Sequence, residues 1–209
     1  PREKNQDKMN TIDDMNTREA RLEQMVDDLL AEAKKQGASS AEAAVSSDSG
    51  LSATVRMGDL ETVEHTRDNG LGISVYFGQR KGSASTSDLS PQAIIDTVKH
   101  ACSIASYTSE DDCNGLADPE LMARDIPDLD LYHPWPLEID AAIELGKSCE
   151  AAALDYAPEI TNSEGATLNS HSGLHVYGNS HGFIGGYPSS RHNLSCSVIG
   201  EDASGMQRD

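Results

Sequence analysis

Hydrophobic and polar positions alternate with two different periods along the chain. Between residues 16 and 37 the apolar side chains recur every three to four positions, which is typical of an amphipathic helix. Asn16 and Glu19 have the spacing of a capping box, and Gly37 follows the last apolar turn. The pattern predicts a helix that begins near Asn16 and ends before Gly37, preceded by a disordered polar tail at residues 1–15.

A period of two residues follows this helix. Apolar side chains occupy every second position in two runs, at Ala41, Ala43 and Val45 and at Leu51, Ala53 and Val55. Residues 57–59 (MGD) are typical of a turn, and strand-like sequence resumes through residues 60–66 and 70–77 up to a hairpin loop at residues 78–82. This stretch therefore predicts neighbouring strands joined by hairpins.

Two further helices are predicted on either side of a long connection. Ser90 and Pro91 are typical of an N-cap and a first helical position, and apolar spacing continues to Ala105. Residues 106–137 contain four prolines and many acidic side chains, so we expect an extended connection with one short helix at residues 118–123. A third amphipathic helix is predicted at residues 138–156, with one face formed by Ile139, Ala142, Ile143, Cys149, Ala152, Ala153 and Tyr156.

The order of these elements predicts the fold class. After Pro158 every segment is strand-like, so strands occur in adjacent groups and do not alternate one-to-one with helices. This order favours an α+β fold with a largely antiparallel sheet and about three amphipathic helices over a parallel, doubly wound sheet. We expect a single domain over residues 16–209.

Composition and charge limit the class of partner. The 209 residues include 16 basic and 35 acidic side chains, giving a formal net charge of −19, which argues against nucleic acid and anionic membranes as partners. No run of 18 apolar residues and no signal-peptide pattern occurs, and four widely spaced cysteines are typical of reduced thiols, so a cytoplasmic location is expected. Because the chain begins with Pro1 and ends just after a strand-like run, we also expect a fragment.

The stretch Gly178–Gly182 (GNSHG) fits the G-x-S-x-G pattern of a serine-hydrolase nucleophile elbow. That elbow needs a strand before Ser180 and a helix after it. The residues after it, FIGGYPSSRHN, contain two adjacent glycines and a proline, which oppose a helix. No histidine follows Glu201 or Asp202, so the Ser, acid, His order of the triad also fails. We interpret the stretch as a turn between strands.

The spacing of the histidines bears on a possible metal site. His171 and His175 are four residues apart, as are His192 and Cys196. That spacing brings two ligands to one ion on a helix, but four residues of strand span about 13 Å. Chelation within either segment is therefore excluded, and a site assembled from different strands remains open. The even spacing also places His175 and Tyr177 on one face of a strand, opposite the apolar face.

Several segments in a fixed order carry a family resemblance. Residues 68–94 (DNGLGISVYFGQRKGSASTSDLSPQAI), 128–134 (DLDLYHP) and 160–202 (ITNSEGATLNSHSGLHVYGNSHGFIGGYPSSRHNLSCSVIGED) resemble the N-terminal half of the PmbA (TldE) branch of the TldD/PmbA metalloprotease family, once labelled modulator of DNA gyrase. The likeness extends from about Arg21 to the last residue. The expected fold is therefore the N-terminal domain of the TldD/PmbA type, without the family's C-terminal domain.

The resemblance implies a bacterial cytoplasmic protease in which a TldD-like subunit pairs with a PmbA-like subunit. The family is associated with unstructured peptide substrates, maturation of a microcin and turnover of antitoxins. Its zinc-type metal is expected only in the TldD partner, on an H-E-x-x-x-H helix of the C-terminal half. This sequence contains no H-E-x-x-x-H, so no catalytic and no metal-ligating residue can be assigned to it.

A non-catalytic role in substrate or partner binding is therefore expected. A sheet with exposed edges and a glycine-rich, hydroxyl-rich face can pair its main chain with an extended peptide. The candidate contacts with peptide or partner are Asn179, Ser180, His181, Arg191 and His192. Two alternatives are an autonomous serine hydrolase that uses Ser180 and a purely structural or regulatory partner subunit.

Overall fold

The described residues form three α-helices and one six-stranded antiparallel sheet. The computed structural model describes residues 2–203 and 205–209, with side chains from residue 15 onward. The elements are α1 (Arg2–Lys35), β1 (Ser40–Arg56), β2 (Asp59–Phe77), β3 (Arg80–Thr86), α2 (Pro91–Tyr107), α3 (Ile139–Leu154), β4 (Ile160–Asn179), β5 (Ile184–Asp202) and β6 (Gly205–Arg208). The strand order is β3-β2-β1-β4-β5-β6. The predicted α+β class with a largely antiparallel sheet is confirmed.

The chain divides into two compact units, where the sequence predicts one domain over residues 16–209. The first unit contains residues 1–47, 68–131 and 173–188, and the second contains residues 48–67, 132–172 and 189–209. Each of the four long strands contributes residues to both units. The division therefore falls inside continuous strands, where no linker marks it in the sequence.

Helix α1 ends at the predicted place and begins earlier than predicted. The Gly37 N–H bonds to the Lys34 carbonyl and the Ala38 N–H bonds to the Ala33 carbonyl, which together form a Schellman motif. Gly37 has a φ of +90°, a conformation that favours glycine. The helix extends back to Arg2, so the predicted start at Asn16 is wrong. The predicted tail at residues 1–15 falls mainly on residues whose side chains lie outside the described part of the chain.

The core of the first unit lies between the helices and one face of the sheet. The predicted alternation is confirmed, because Ala41, Ala43 and Val45 of β1 are buried. Buried side chains of α1 and β2 complete this core, including Val26, Leu29, Leu71, Ile73 and Val75. Helix α2 begins at the predicted N-cap, where the Ser90 hydroxyl accepts a hydrogen bond from the Ala93 N–H.

The long connection predicted between α2 and α3 is also confirmed. Residues 108–138 contain one 3₁₀ turn at Pro119–Leu121 and no longer element, so the predicted short helix is present as a single turn. Prolines and clustered acidic side chains disfavour regular structure in this segment, as the sequence indicates.

The second unit has a smaller apolar core and one buried carboxylate. Helix α3 lies within the predicted range of residues 138–156, but its buried positions are Ala142, Gly146 and Glu150. The predicted face is therefore partly wrong, since Ile139 and Tyr156 are exposed. Glu150 is buried because its two carboxylate oxygens accept hydrogen bonds from the N–H groups of Met57 (2.8 Å) and Gly58 (2.7 Å) in the turn between β1 and β2. A helical apolar period cannot reveal a buried acid of this kind.

Candidate functional site

The face of the sheet opposite α1 and α2 in the first unit is open. Successive side chains of a strand point to opposite faces. Since Leu71, Ile73 and Val75 of β2 are buried toward the helices, Gly72 and Ser74 belong to the other face. That face carries small and hydroxyl-bearing residues over several strands, among them Ala44, Ser46, Gly72, Ser74, Ser83 and Ser85.

Two adjoining depressions on this face form one groove, which we call the tyrosine groove. Their volumes are about 550 and 430 Å³, and they share the lining residues Ala44, Gly72, Ser85 and Tyr177. Strands β3, β2, β1, β4 and β5 all contribute to the lining. Five neighbouring strands span about 19 Å, which matches the length of about six residues of extended peptide.

Aromatic side chains stand along the β4 and β5 side of the tyrosine groove. Tyr177 is 37% exposed and Tyr187 is 52% exposed. The ring of Tyr187 lies 5.8 Å from that of His175, and the ring of Tyr177 lies 6.1 Å from that of Phe183. Exposed aromatic rings with polar tips are frequent at protein interfaces, because they combine a large apolar surface with a hydrogen-bonding group.

One carboxylate orients two of the tyrosines. Glu42 of β1 accepts hydrogen bonds from the hydroxyls of Tyr76 (2.8 Å) and Tyr177 (3.1 Å). Burial, the hydrogen bond to Glu42 and its negative charge raise the pKa of Tyr76 to about 12. Burial and the same carboxylate also raise the pKa of Tyr177. Both phenols therefore remain protonated at neutral pH. The hydrogen bond from the Tyr177 hydroxyl to Glu42 keeps the Tyr177 ring in place.

Ser180 lies in a hairpin turn between β4 and β5. The Asn179 N–H bonds to the Phe183 carbonyl, the Gly182 N–H bonds to the Asn179 carbonyl, and Gly182 has a φ of +91°. The Ser180 hydroxyl accepts a hydrogen bond from the Ala41 N–H (3.0 Å), while the Ser180 N–H bonds to the Ala41 carbonyl (2.8 Å). Strand β5 follows the turn in place of a helix, so the nucleophile-elbow geometry is absent from this segment.

The other predicted contact residues occupy different environments. The side chain of Asn179 is buried and its carbonyl oxygen accepts a hydrogen bond from the His181 N–H, so Asn179 stabilises the turn. His181 is exposed at the tip of the hairpin. Arg191 and His192 are exposed and belong to the second unit, whereas the other three belong to the first. A contact of these five residues with peptide or partner stays a prediction.

Tyr177 and Tyr187, the two exposed tyrosines of the groove, are not among the five contact residues predicted from the sequence. The sequence contains a local signal for Tyr177, because the even spacing of His175 and Tyr177 predicts that they share one face of β4. Tyr187 carries no such local signal, since its position beside His175 depends on the pairing of β4 with β5. The tyrosine groove is thus predictable in part from the sequence.

The described residues do not fit a metal ion. No group of three His, Cys, Asp or Glu side chains comes together in the part of the chain that the structure describes. His192, one of the histidines considered for a metal, instead has both ring nitrogens close to Ser170 and to the His133 carbonyl. No chemical step at a metal is therefore assigned to these residues.

Two family models match the sequence. Residues 41–105 match the PmbA/TldA metallopeptidase domain 1, and residues 132–209 match the PmbA/TldA metallopeptidase central domain. The chain belongs to the PmbA/TldD metallopeptidase family. The resemblance inferred from its strand-rich segments is confirmed.

Named relatives support this assignment. The chain is 52% identical over 195 residues to a "Metalloprotease PmbA homolog" of Haemophilus influenzae, covering 93% of this chain and 43% of the relative. It is 53% identical over 180 residues to the "Metalloprotease PmbA" of Escherichia coli O157:H7, covering 86% of this chain and 39% of the relative. The chain thus spans about two fifths of the length of these curated relatives.

Solved structures show the same fold. A putative modulator of DNA gyrase from Bacteroides thetaiotaomicron matches with a TM-score of 0.78 and 26% identity, over 88% of this chain and 42% of that one. The structure of TldE from Thermococcus kodakarensis matches with a TM-score of 0.70 and 17% identity, over 88% of this chain and 42% of that one, and supports the fold alone. None of the described helices is long and apolar enough to cross a membrane.

Proposed function

We propose that this chain is the peptide-holding, non-catalytic part of a PmbA-type subunit in a cytoplasmic TldD/PmbA metalloprotease. The observation that carries the proposal is the tyrosine groove, which is lined by backbone, hydroxyls and exposed tyrosines and is long enough for about six extended residues. Such a surface suits unstructured peptides of varied sequence, because its contacts are apolar rings and adaptable hydroxyls.

Contacts in the groove are made by side chains. Strands β1, β2 and β4 have hydrogen-bonded neighbours on both sides at this point, so their main-chain groups are already paired. Main-chain pairing with a peptide, which the sequence suggested, is available only where a strand lies at an edge of the sheet. A peptide in the groove would therefore cross the strands over Tyr177 and Tyr187.

Family membership supports the partner and the metal of this proposal. A TldD-like subunit would supply the zinc-type metal and the hydrolytic chemistry, and this chain would hold the peptide for it. Maturation of a microcin and turnover of antitoxins are the processes in which such an assembly is proposed to act. The curated relatives carry the word metalloprotease in their names, which supports the reaction class.

The test separates holding from cleavage. An unstructured peptide bearing a photoreactive phenylalanine analogue should crosslink to the purified chain at strands that line the groove, without being cleaved. Adding a TldD-like subunit should then give metal-dependent cleavage of the same peptide. Metal-dependent cleavage by the chain alone would overturn the non-catalytic assignment. Crosslinks that appear only with the added subunit, and only on that subunit, would instead favour a structural or regulatory partner.

A further inference from the structure

A second depression lies in the second unit and differs in chemistry from the tyrosine groove. Its volume is about 390 Å³, near the lower end of the range for small-ligand sites. Its lining includes Arg67 and His65 of β2, Trp135 of the long connection, and the hydroxyl residues Ser49 and Ser172. No acidic side chain is among its described lining residues, although the chain has 35 acidic and 16 basic residues.

Trp135 is fixed in the wall of this depression by its neighbours in sequence. It lies between Pro134 and Pro136, and a residue before proline is restricted to extended conformations. The Leu137 N–H bonds to the Trp135 carbonyl (2.8 Å), which closes a tight turn around Pro136. Leu137 also packs against the apolar cluster that contains Leu51, so the segment is anchored next to the depression.

His192 supports the indole ring from the side. The rings of Trp135 and His192 meet edge to face, with centroids 5.5 Å apart and an interplanar angle of 89°. The His133 carbonyl can only accept a hydrogen bond, so the His192 Nε2, 2.9 Å away, carries the proton. In the neutral ring Nδ1 then accepts a hydrogen bond from the Ser170 hydroxyl at 3.0 Å. These bonds orient the His192 ring against Trp135.

Arg67 supplies the positive charge of the depression. It is exposed, and no carboxylate of the described residues forms an ion pair with it. A guanidinium group presents two parallel N–H donors that match the two oxygens of a carboxylate. An arginine without a carboxylate partner, next to serine hydroxyls and an indole, is arranged for a small carboxylate with an apolar body.

We propose that this depression binds a small carboxylate ligand, whose carboxylate pairs with Arg67 and whose apolar part packs on Trp135. The source of the carboxylate is either a free N-blocked amino acid or the C-terminal end of a peptide. The site is distinct from the tyrosine groove and does not depend on the peptide-holding role proposed for that groove.

Trp135 makes the test direct, because it is the only tryptophan of the chain. N-acetyl-leucine, N-acetyl-leucinamide and N-acetyl-Ala-Ala-Leu with a free carboxylate are titrated separately, with excitation at a wavelength that the tyrosines do not absorb. Binding heat is measured in parallel by calorimetry. A saturable signal is expected with both acids and at least a tenfold weaker one with the amide. Tighter binding of the tripeptide identifies a peptide end, and tighter binding of N-acetyl-leucine identifies a small molecule.

A variant pair tests the role of Arg67. Arg67→Gln should weaken binding of the preferred acid at least tenfold, while Arg80→Gln, which changes an exposed arginine of the first unit, should leave it unchanged. Unchanged circular dichroism and Trp135 emission establish that the variants are folded. Equal binding of the acid and the amide, no saturable binding of either acid, or wild-type affinity in Arg67→Gln would overturn the proposal.

Discussion

Ser180 shows how one residue can fit a catalytic pattern and serve another purpose. Its hydroxyl accepts a hydrogen bond from the Ala41 N–H, and its own N–H bonds to the Ala41 carbonyl. These two bonds connect the hairpin to the start of β1. The pattern G-x-S-x-G specifies residue types only, and the chemistry of a nucleophile elbow requires a strand and a helix around them. The glycines and proline after Ser180 disfavour a helix, and in the structure strand β5 follows the turn.

We predict that Ser180→Ala destabilises the protein without removing any reactive group. The buried Ala41 N–H would lose its acceptor, which costs about 1–2 kcal/mol in the free energy of unfolding. Urea unfolding of Ser180→Ala is compared with that of Ser109→Ala, which changes an exposed serine of the long connection. A fluorophosphonate probe should label neither the wild type nor the variant, and specific labelling of Ser180 would contradict this account.

The fold class is confirmed, whereas the contact role of the candidate residues stays a prediction. Asn179, Ser180 and His181 lie in a turn between strands. Glycine and small polar residues indicate such a turn reliably. Whether such a residue faces a ligand or bonds within the turn depends on partners distant in sequence. Ala41, which pairs with Ser180, is 139 residues away from it. No local pattern reports that pairing.

At the scale of elements, the packing of α2 on β3 depends on one glycine. A Cβ atom added at Gly82 would overlap the Ala101 carbonyl oxygen and crowd the Ala105 N–H of α2. The helix backbone can move away only by losing its contacts with the sheet. The absence of a side chain at Gly82 therefore permits the close approach of α2 and β3.

We predict that Gly82→Ala lowers the free energy of unfolding by at least about 2 kcal/mol, as overpacking of a tight contact does. Gly72→Ala is the matched control in β2, because a Cβ atom there would meet only the Ser85 side chain at 3.8 Å and the Ala84 carbonyl at 3.9 Å. The control should change stability little. Chemical denaturation measures both, and equal stability of the two variants would contradict the close packing of α2 on β3.

Glu150 links α3 to the turn between β1 and β2, and this link is expected to depend on pH. Burial alone raises the pKa of Glu150, but hydrogen bonds from Ser163 and the N–H groups of Gly58 and Met57, with the charge of Arg56, lower it overall from the ordinary value of 4.5. A carboxylate whose pKa is lowered by folding stabilises the folded state above its unfolded pKa. That stabilisation is lost as the pH falls through the lower, folded pKa.

We predict that Glu150→Gln destabilises the protein by about 1–3 kcal/mol at pH 7, because one of the two N–H groups in the turn loses its acceptor. The difference in unfolding free energy between wild type and variant should shrink as the pH falls below 4.5. Glu144→Gln, at an exposed position of α3, serves as the control and should differ little from wild type at any pH. A difference for Glu150→Gln that does not change with pH would contradict the assigned role.

At the scale of the whole molecule, the sequence predicts the fold class, but no local signal in it marks the two compact units. Period-two alternation and hairpin turns are local signals, and they indicate the antiparallel sheet directly. The two family models occupy consecutive segments, residues 41–105 and 132–209, whereas each compact unit is assembled from three separate segments. Because the long strands pass through both units without a change in composition, no feature of the sequence marks where one unit ends.

The tyrosine groove is also a property of the assembled molecule. Five strands from different parts of the chain contribute to it, and its exposed rings come from β4 and β5. The charge of −19 directs the choice of probe, since an acidic peptide would be repelled by the chain as a whole. A neutral or weakly basic unstructured peptide is therefore the appropriate ligand.

The affinity of such a peptide for groove variants tests the central claim most directly. Fluorescence anisotropy gives the dissociation constant for the wild type, for Tyr187→Ala and for Tyr107→Ala, which removes a tyrosine that is 89% exposed at the end of α2 and does not line the groove. Tyr187→Ala is expected to weaken binding about five- to tenfold, as loss of an aromatic contact does. Tyr107→Ala should bind like the wild type. Equal affinity of all three proteins would contradict the assignment of the groove as the peptide site.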